Sequence, residues 1–269
     1  MTLRKKKLLR MGGIVLAVLL VALAVTIAWL WWESHQRRQR AEEMFRDLQA
    51  LKIGETSAQE AMKLVRKYGG TVNLNSSSLG GRTENTRYDL SWIVSPMQEM
   101  RLSSLFYKNF PLSTTLNTVG VRPWMVSASI VIESDRLVSW NYGAIVGRSD
   151  GSILGANVRV EAPWPQRGSR RADFGPSKQP SYQFIPVHHT GSPGESLLVL
   201  LTHEATPEER WRAFDINLGC LTNLPECRRA CEFMPSVYRA RVEERRTEGW
   251  KPLQSEANPV CRVVLAAGE

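Results

Sequence analysis

The chain has 269 residues, 43 % of them hydrophobic, and a formal charge of +9. That length suffices for one sizeable core, and the charge by itself would suggest an acidic partner. Its placement excludes a nucleic-acid-binding domain. Eight of the 35 Lys and Arg and one of the 26 acids fall in residues 1–40, leaving 27 basic and 25 acidic side chains beyond, a net +2 without a basic stripe.

Residues 1–10 form a basic tail carrying Arg4, Lys5, Lys6, Lys7 and Arg10. Residues 11–32 follow without a charge, and Thr26 is their only clearly polar side chain. About 20 such residues span the hydrocarbon of a bilayer as a helix, which satisfies its own backbone polar groups. Trp29, Trp31 and Trp32 crowd the end of the run, where indole rings favour the headgroup layer, and Lys5, Lys6 and Lys7 anchor the other side. Arg37, Arg38, Arg40 and Arg46 on the far flank are offset by acids, so the tail is expected in the cytoplasm and the bulk of the chain outside it. Ala22-Leu23-Ala24 offers a signal-peptidase site, but cleavage there would leave VTIAWLWW exposed on the mature chain, so a retained signal-anchor is expected. No second run reaches spanning length.

Residues 33–50 place Ala41, Met44, Phe45 and Leu48 on one helical face, with Leu51 continuing it. An amphipathic juxtamembrane helix is expected, standing as a solvated stalk. Leu51 to Gly70 is a well-punctuated helix: Thr56 with Gln59, or Ser57 with Glu60, forms a capping box, and Gly69-Gly70 stops it. The pattern of Gly, one residue, Thr and a short Gly-terminated helix resembles the helix start of small outer-membrane assembly lipoproteins of the SmpA/OmlA type. The lipid-bearing cysteine of those proteins does not follow the apolar run here, and no function is carried over.

Val72 to Thr86 is a polar loop containing the sequon Asn75-Ser76-Ser77. Strands are expected at Tyr88–Val94, Leu102–Tyr107, Met125–Ile132, Leu137–Val146 and Ile153–Val160, as an antiparallel meander. Glu133-Ser134-Asp135-Arg136 is turn-like, and Asp150-Gly151 is the strongest signal for a two-residue hairpin turn. Trp92, Trp124, Trp140, Tyr88 and Tyr142 are expected chiefly as core, with a binding face as the rival. Residues 162–181 predict a flexible loop with Arg167, Arg170, Arg171 and Lys178 as a small basic patch. Strands follow at Tyr182–Val187 and Ser196–Thr202. Thr206-Pro207-Glu208-Glu209 starts a helix whose buried side is Trp211 and Phe214. Further helices are expected at Glu226–Phe233 and Ser236–Thr247, and a last strand at Val260–Ala266.

Cys220, Cys227, Cys231 and Cys261 all lie in the C-terminal part, residues 216–269. An even number in an oxidising compartment suggests two disulfides. Cys227 and Cys231, four apart on an expected helix, bond outward to Cys220 and Cys261 in an order the sequence leaves open. A four-cysteine zinc site fits less well, because two CxxC pairs are missing. His188, His189, His203 and Glu204 are the alternative metal set; adjacent turn histidines are more simply exposed polar residues. No nucleophile elbow, P-loop or dinucleotide fingerprint appears. No catalytic residue, cofactor or metal is therefore expected.

The expected protein is α+β: a transmembrane helix, residues 11–32, followed by an extracytoplasmic domain, residues 51–269, of antiparallel sheet and short packing helices. Its expected role is a non-enzymatic interaction or assembly module in the membrane; a membrane-tethered hydrolase or metal-dependent enzyme is the alternative. The bilayer, through residues 11–32, is the expected partner, with a protein of the envelope beside it and no nucleic acid. Gly12, Gly13, Ala17, Ala22 and Ala24 would let a second helix approach closely.

Overall fold

The computed structural model describes residues 3–72, 85–100, 115–133, 135–150, 152–161, 181–186, 194–202, 205–224, 226–247, 249 and 258–267. Its first element, α1, is a single helix, Leu3–Gln49. No proline interrupts the chain before Pro96, and only Gly12 and Gly13 weaken the helix interior. Residues 11–26 are exposed on every side. Contact with the rest of the chain begins at Ile27, and Leu30, Ser34, Ala41, Met44, Phe45 and Leu48 are buried at helical spacing. The charged half of α1 is thus a core helix rather than the solvated stalk its composition suggested. Its stripe finds a sheet to cover, and its charges lie on the other faces.

Gly54, with φ 79, turns the chain into α2, Ala58–Lys67. Of the two possible capping boxes, Ser57 with Glu60 is formed, while Thr56 Oγ1 accepts from the Lys52 N–H at 2.9 Å. Gly69, at φ 66, ends α2, and the Gly70 N–H closes onto Val65 O at 2.7 Å.

The strands are β1 Thr71–Val72, β2 Asn85–Asp89, β3 Ile93–Val94, β4 Trp124–Glu133, β5 Arg136–Gly147, β6 Ile153–Glu161, β7 Ser181–Pro186 and β8 Gly194–Thr202. They form one sheet in the order β1-β2-β4-β5-β6-β8-β7, with β3 also pairing β4. The sheet is mixed, not wholly antiparallel, because β8 pairs β6 in parallel. The chain leaves β6, forms the edge strand β7, and returns as β8 in the gap between them. Local pattern could not predict this, since strand direction is set by the connection. Leu102–Tyr107 and the basic patch of 162–181 lie outside the described residues.

The turn-like stretch 133–136 is a tight hairpin, as expected, while the connection at Asp150 is longer than the two-residue turn expected there. Glu133 pairs Arg136, so two residues intervene, and Asp135 takes φ 64, as a primed turn requires. At Asp150, the Arg148 N–H bonds Ser152 O at 2.9 Å and leaves three residues between. Asp150 Oδ1 accepts from the Ser152 N–H at 2.9 Å, which favours the longer turn.

Short helices complete the fold: α3 Pro96–Glu99, α4 Pro207–Phe214, α5 Ala230–Phe233, α6 Pro235–Thr247 and α7 Pro259–Ala266. The segment read as a last strand is α7. Asn258 caps it, Pro259 opens it, and Cys261, Val264 and Leu265 face the core at helical spacing. The helix expected from Glu226 begins only at Ala230, so Cys227 precedes it. Trp211 is 63 % exposed, because α4 buries Ala213 and Trp211 lies two residues, about 200°, around the helix from it.

The core lies between one face of the sheet and the helices. Trp124, Trp140 and Tyr142 point into it with Val126, Ile130 and Val158. Phe45 of α1 stacks on Tyr142 at 4.4 Å between centroids and meets Phe214 edge-on at 6.0 Å. Trp124 donates from Nε1 to Ser34 Oγ at 2.9 Å, and Tyr142 Oη to Ala41 O at 3.3 Å. These aromatics are core and build no common binding face; Trp92 stands apart, 61 % exposed.

Candidate functional site

The strands run alongside α1. Trp124, at the start of β4, meets Ser34 nearer the apolar run, while Leu137 at the far end of the sheet accepts the Gly54 N–H at 2.8 Å. The domain therefore has a proximal end, next to residues 11–32, and a distal end at the α1–α2 connection. Three features bear on function.

The first is the face of the sheet opposite the helices. Alternation sends Met125, Ser127, Ser129 and Val131 of β4 to this side, and the register aligns them with Ile145, Gly143, Asn141 and Ser139 of β5. Asn157 and Gly155 of β6, then Leu198 and Ser196 of β8, continue the rows. Twist makes the face concave, enclosing a hollow of about 420 Å3. Two glycines form its floor. A Cβ at Gly143 would stand 3.1 Å from Asn157 Nδ2, and one at Gly155 would stand 2.7 Å from Ser196 Oγ, so the polar side chains lie over bare backbone. Arg87 and Arg159 stand at the distal margin. Arg87 Nε meets Asp89 Oδ1 at 2.8 Å, and Arg159 pairs with Glu161. Hydroxyls and amides here can donate and accept hydrogen bonds. Among the described residues the lining contains no His, Cys, Asp or Glu.

The second is a polar seam at the proximal end. Arg122 is 1 % exposed and donates from Nη2 to Asn223 O at 2.7 Å and from Nη1 to Cys220 O at 3.3 Å. Burial pulls its guanidinium down to about 10, and the Glu226 carboxylate acts in the opposite direction. Glu226 accepts from Ser149 Oγ at 2.9 Å and from Asn117 Nδ2. Arg38 of α1 donates to Thr222 Oγ1 at 2.8 Å and to Asn223 Oδ1 at 2.5 Å. Charge and hydrogen bonds thus join α1, the turn at 115–120, the β5–β6 turn and the first cysteine loop. Composition alone could not single out Arg122 among the chain's many arginines; only its burial does.

The third is the cysteines. The described structure pairs Cys220 with Cys227 and Cys231 with Cys261, and leaves no cysteine free. The first bridge closes the loop that carries Thr222 and Asn223 at the proximal end. The second ties α5 to α7.

Of the residues expected at a membrane interface, Trp29, Trp31 and Trp32 are exposed on α1 just where the domain begins, and Lys5, Lys6 and Lys7 lie in its first turns. Among the described residues one helix is long and apolar enough to cross a membrane. His188, His189, His203 and Glu204 lie outside the described residues; among the described ones no three His, Cys, Asp or Glu gather as metal ligands do. No family model matches the chain, and neither a curated protein nor a solved structure shows significant similarity to it.

Proposed function

We propose that the chain is a single-pass membrane protein with its basic tail in the cytoplasm and its α+β domain outside, where it serves as a non-enzymatic interaction or assembly module. One observation carries this. The helix whose residues 11–26 expose apolar side chains on every face continues without a break into the core of a domain with two disulfides. Bare apolar surface costs about 25 cal/mol per Å2 in water, and a bilayer removes that cost. Disulfides persist in oxidising compartments, which supports a domain outside the cytosol. The rigid joint supports a mounted module, because the domain cannot swing freely on a linker. The concave sheet face, where Ser and Asn side chains lie among Met125, Val131, Ile145 and Leu198, is the surface offered to a partner.

The test has two parts. A C-terminal alkaline phosphatase fusion is expected to be active, with the full chain resisting carbonate extraction and its N-terminal peptide retained. An inactive fusion, or release by carbonate, would overturn the topology. A photo-crosslinking residue at Asn141 is then expected to capture a distinct protein in cells, while one at the exposed Glu243 on α6 does not. Equal capture at both positions, or none at Asn141, would remove the sheet face as the contact surface.

A further inference from the structure

We infer that the proximal rim of the domain is itself a lipid-contacting surface, seated in the interfacial layer of the bilayer around α1. The inference rests on the anchor proposed above and adds a second membrane contact to it. Roughly 20 helical residues at 1.5 Å rise cover a hydrocarbon core of about 30 Å. Counted from Met11, that core ends near Leu30. The domain's own contacts with α1, however, already begin at Ile27. From Ile27 to Trp32 the helix therefore lies within both the apolar run and the domain, an overlap of about 8 Å along its axis.

The residues that wrap this overlap are suited to that depth. Leu30 and Ile27 are packed by Met97, Leu116, Val119 and Val121, an apolar cluster separate from the main core. Gly120, at φ 76, brings this turn close to the helix; a Cβ there would lie 3.8 Å from Trp31 Cδ1. Around the cluster the rim stays apolar where it could have been polar. Met100, one helical turn beyond Met97, is 43 % exposed, and Leu224, next to the Asn223 that binds Arg38, is 55 % exposed. Trp29, Trp31 and Trp32 are exposed on α1 itself, within the overlap. Apolar and indole side chains gather where the headgroups meet the acyl chains. Among the described residues near the rim, Arg37 pairs Glu33 at 2.8 Å and Glu99 at 2.5 Å, so seating the rim does not bring that arginine unpaired into the interface. The partner this surface fits is the bilayer interface.

The full chain would be reconstituted in phosphatidylcholine vesicles carrying a photoactivatable diazirine, either mid-chain or near the glycerol ester of one acyl chain, and adducts mapped by mass spectrometry. Mid-chain label is expected on residues 11–26. Ester-proximal label is expected on the peptides containing Val119 and Leu224, several-fold above the distal α2 peptide, residues 58–67. Rim labelling no higher than that of α2, with 11–26 labelled, would overturn the seated rim and leave the anchor standing. Absence of label from 11–26 would overturn the anchor and the rim together.

Discussion

Arg122 illustrates how much one side chain can hold in place. Its guanidinium satisfies two carbonyls of the first cysteine loop while buried beside Glu226. Replacing it with Met leaves those carbonyls without their donor, and an unsatisfied buried acceptor costs roughly 1–3 kcal/mol. Arg122→Met is expected to lower the urea midpoint accordingly. Arg122→Lys restores little, because one ammonium cannot reproduce the fork. Gly120 is a second such point. Its φ of 76 is already in the left-handed region, and a Cβ would collide with Thr222 O. Gly120→Ala is expected to destabilise by about 1–3 kcal/mol, read from the same unfolding curve. Asp47 sets a pH dependence. Burial acts to raise its carboxyl, but hydrogen bonds from Lys67 at 2.8 Å and Tyr68 at 2.8 Å outweigh it and hold the group below the usual carboxylate value. A carboxylate lowered in the folded state contributes stability above its unfolded value, near 4, and loses that contribution as pH falls through the folded value. The melting temperature of Asp47→Asn should lie below that of the parent at neutral pH and converge with it in acid below about pH 4. A gap that persists there would assign the effect to packing.

Among the elements, α1 does the most. Its Ala41, Met44 and Leu48 are completely buried, so its charged half belongs to the core as fully as any strand. A proline inside a helix removes one hydrogen bond and clashes with the preceding turn, at a cost of about 3 kcal/mol. Gln36→Pro should therefore lower the stability of the whole domain and its resistance to protease. A variant as stable as the parent would mean that residues 33–49 act only as a connection. The sheet shows a different dependence. Its helix-facing side was legible from alternation in Trp124–Ile132 and Leu154–Val160, since a strand half-buried on one face writes its burial at period two. The hairpin positions were less legible. The stretch 133–136 reads as a turn, but Asp150-Gly151 has the favoured dipeptide, and yet it is Glu133 and Arg136 that pair across a two-residue connection. There the ends are held by contacts with the α1–α2 connection: the Ala58 N–H bonds Asp135 O at 2.9 Å, and Arg136 Nη1 bonds Gly54 O at 2.8 Å.

At the scale of the molecule, the two bridges constrain very different lengths of chain. Cys231–Cys261 spans a sequence separation of 30 and Cys220–Cys227 one of 7. Loop-closure entropy assigns roughly 3–4 kcal/mol to the longer and about 2 kcal/mol to the shorter. The Cys231→Ala/Cys261→Ala pair should therefore lower the unfolding free energy more than the Cys220→Ala/Cys227→Ala pair. The reverse order would point to the buried seam around Arg122, which the short bridge supports, as the dominant effect.

Composition and local order along the chain determined the long apolar helix, the concentration of charge beside it, a helix cap at Thr56 or Ser57 and another at Thr206, and most strand positions. Each of these depends on neighbours a few residues away, through hydrogen-bond satisfaction or burial periodicity. Tertiary structure alone decided that residues 33–49 enter the core, that β8 runs parallel to β6, that Val260–Ala266 is helix despite its β-branched residues, and which cysteines pair. Those outcomes depend on contacts between segments distant in sequence. A stripe of apolar residues specifies that a face will be buried but not what buries it, and four cysteines specify bridges but not which thiols the fold brings together.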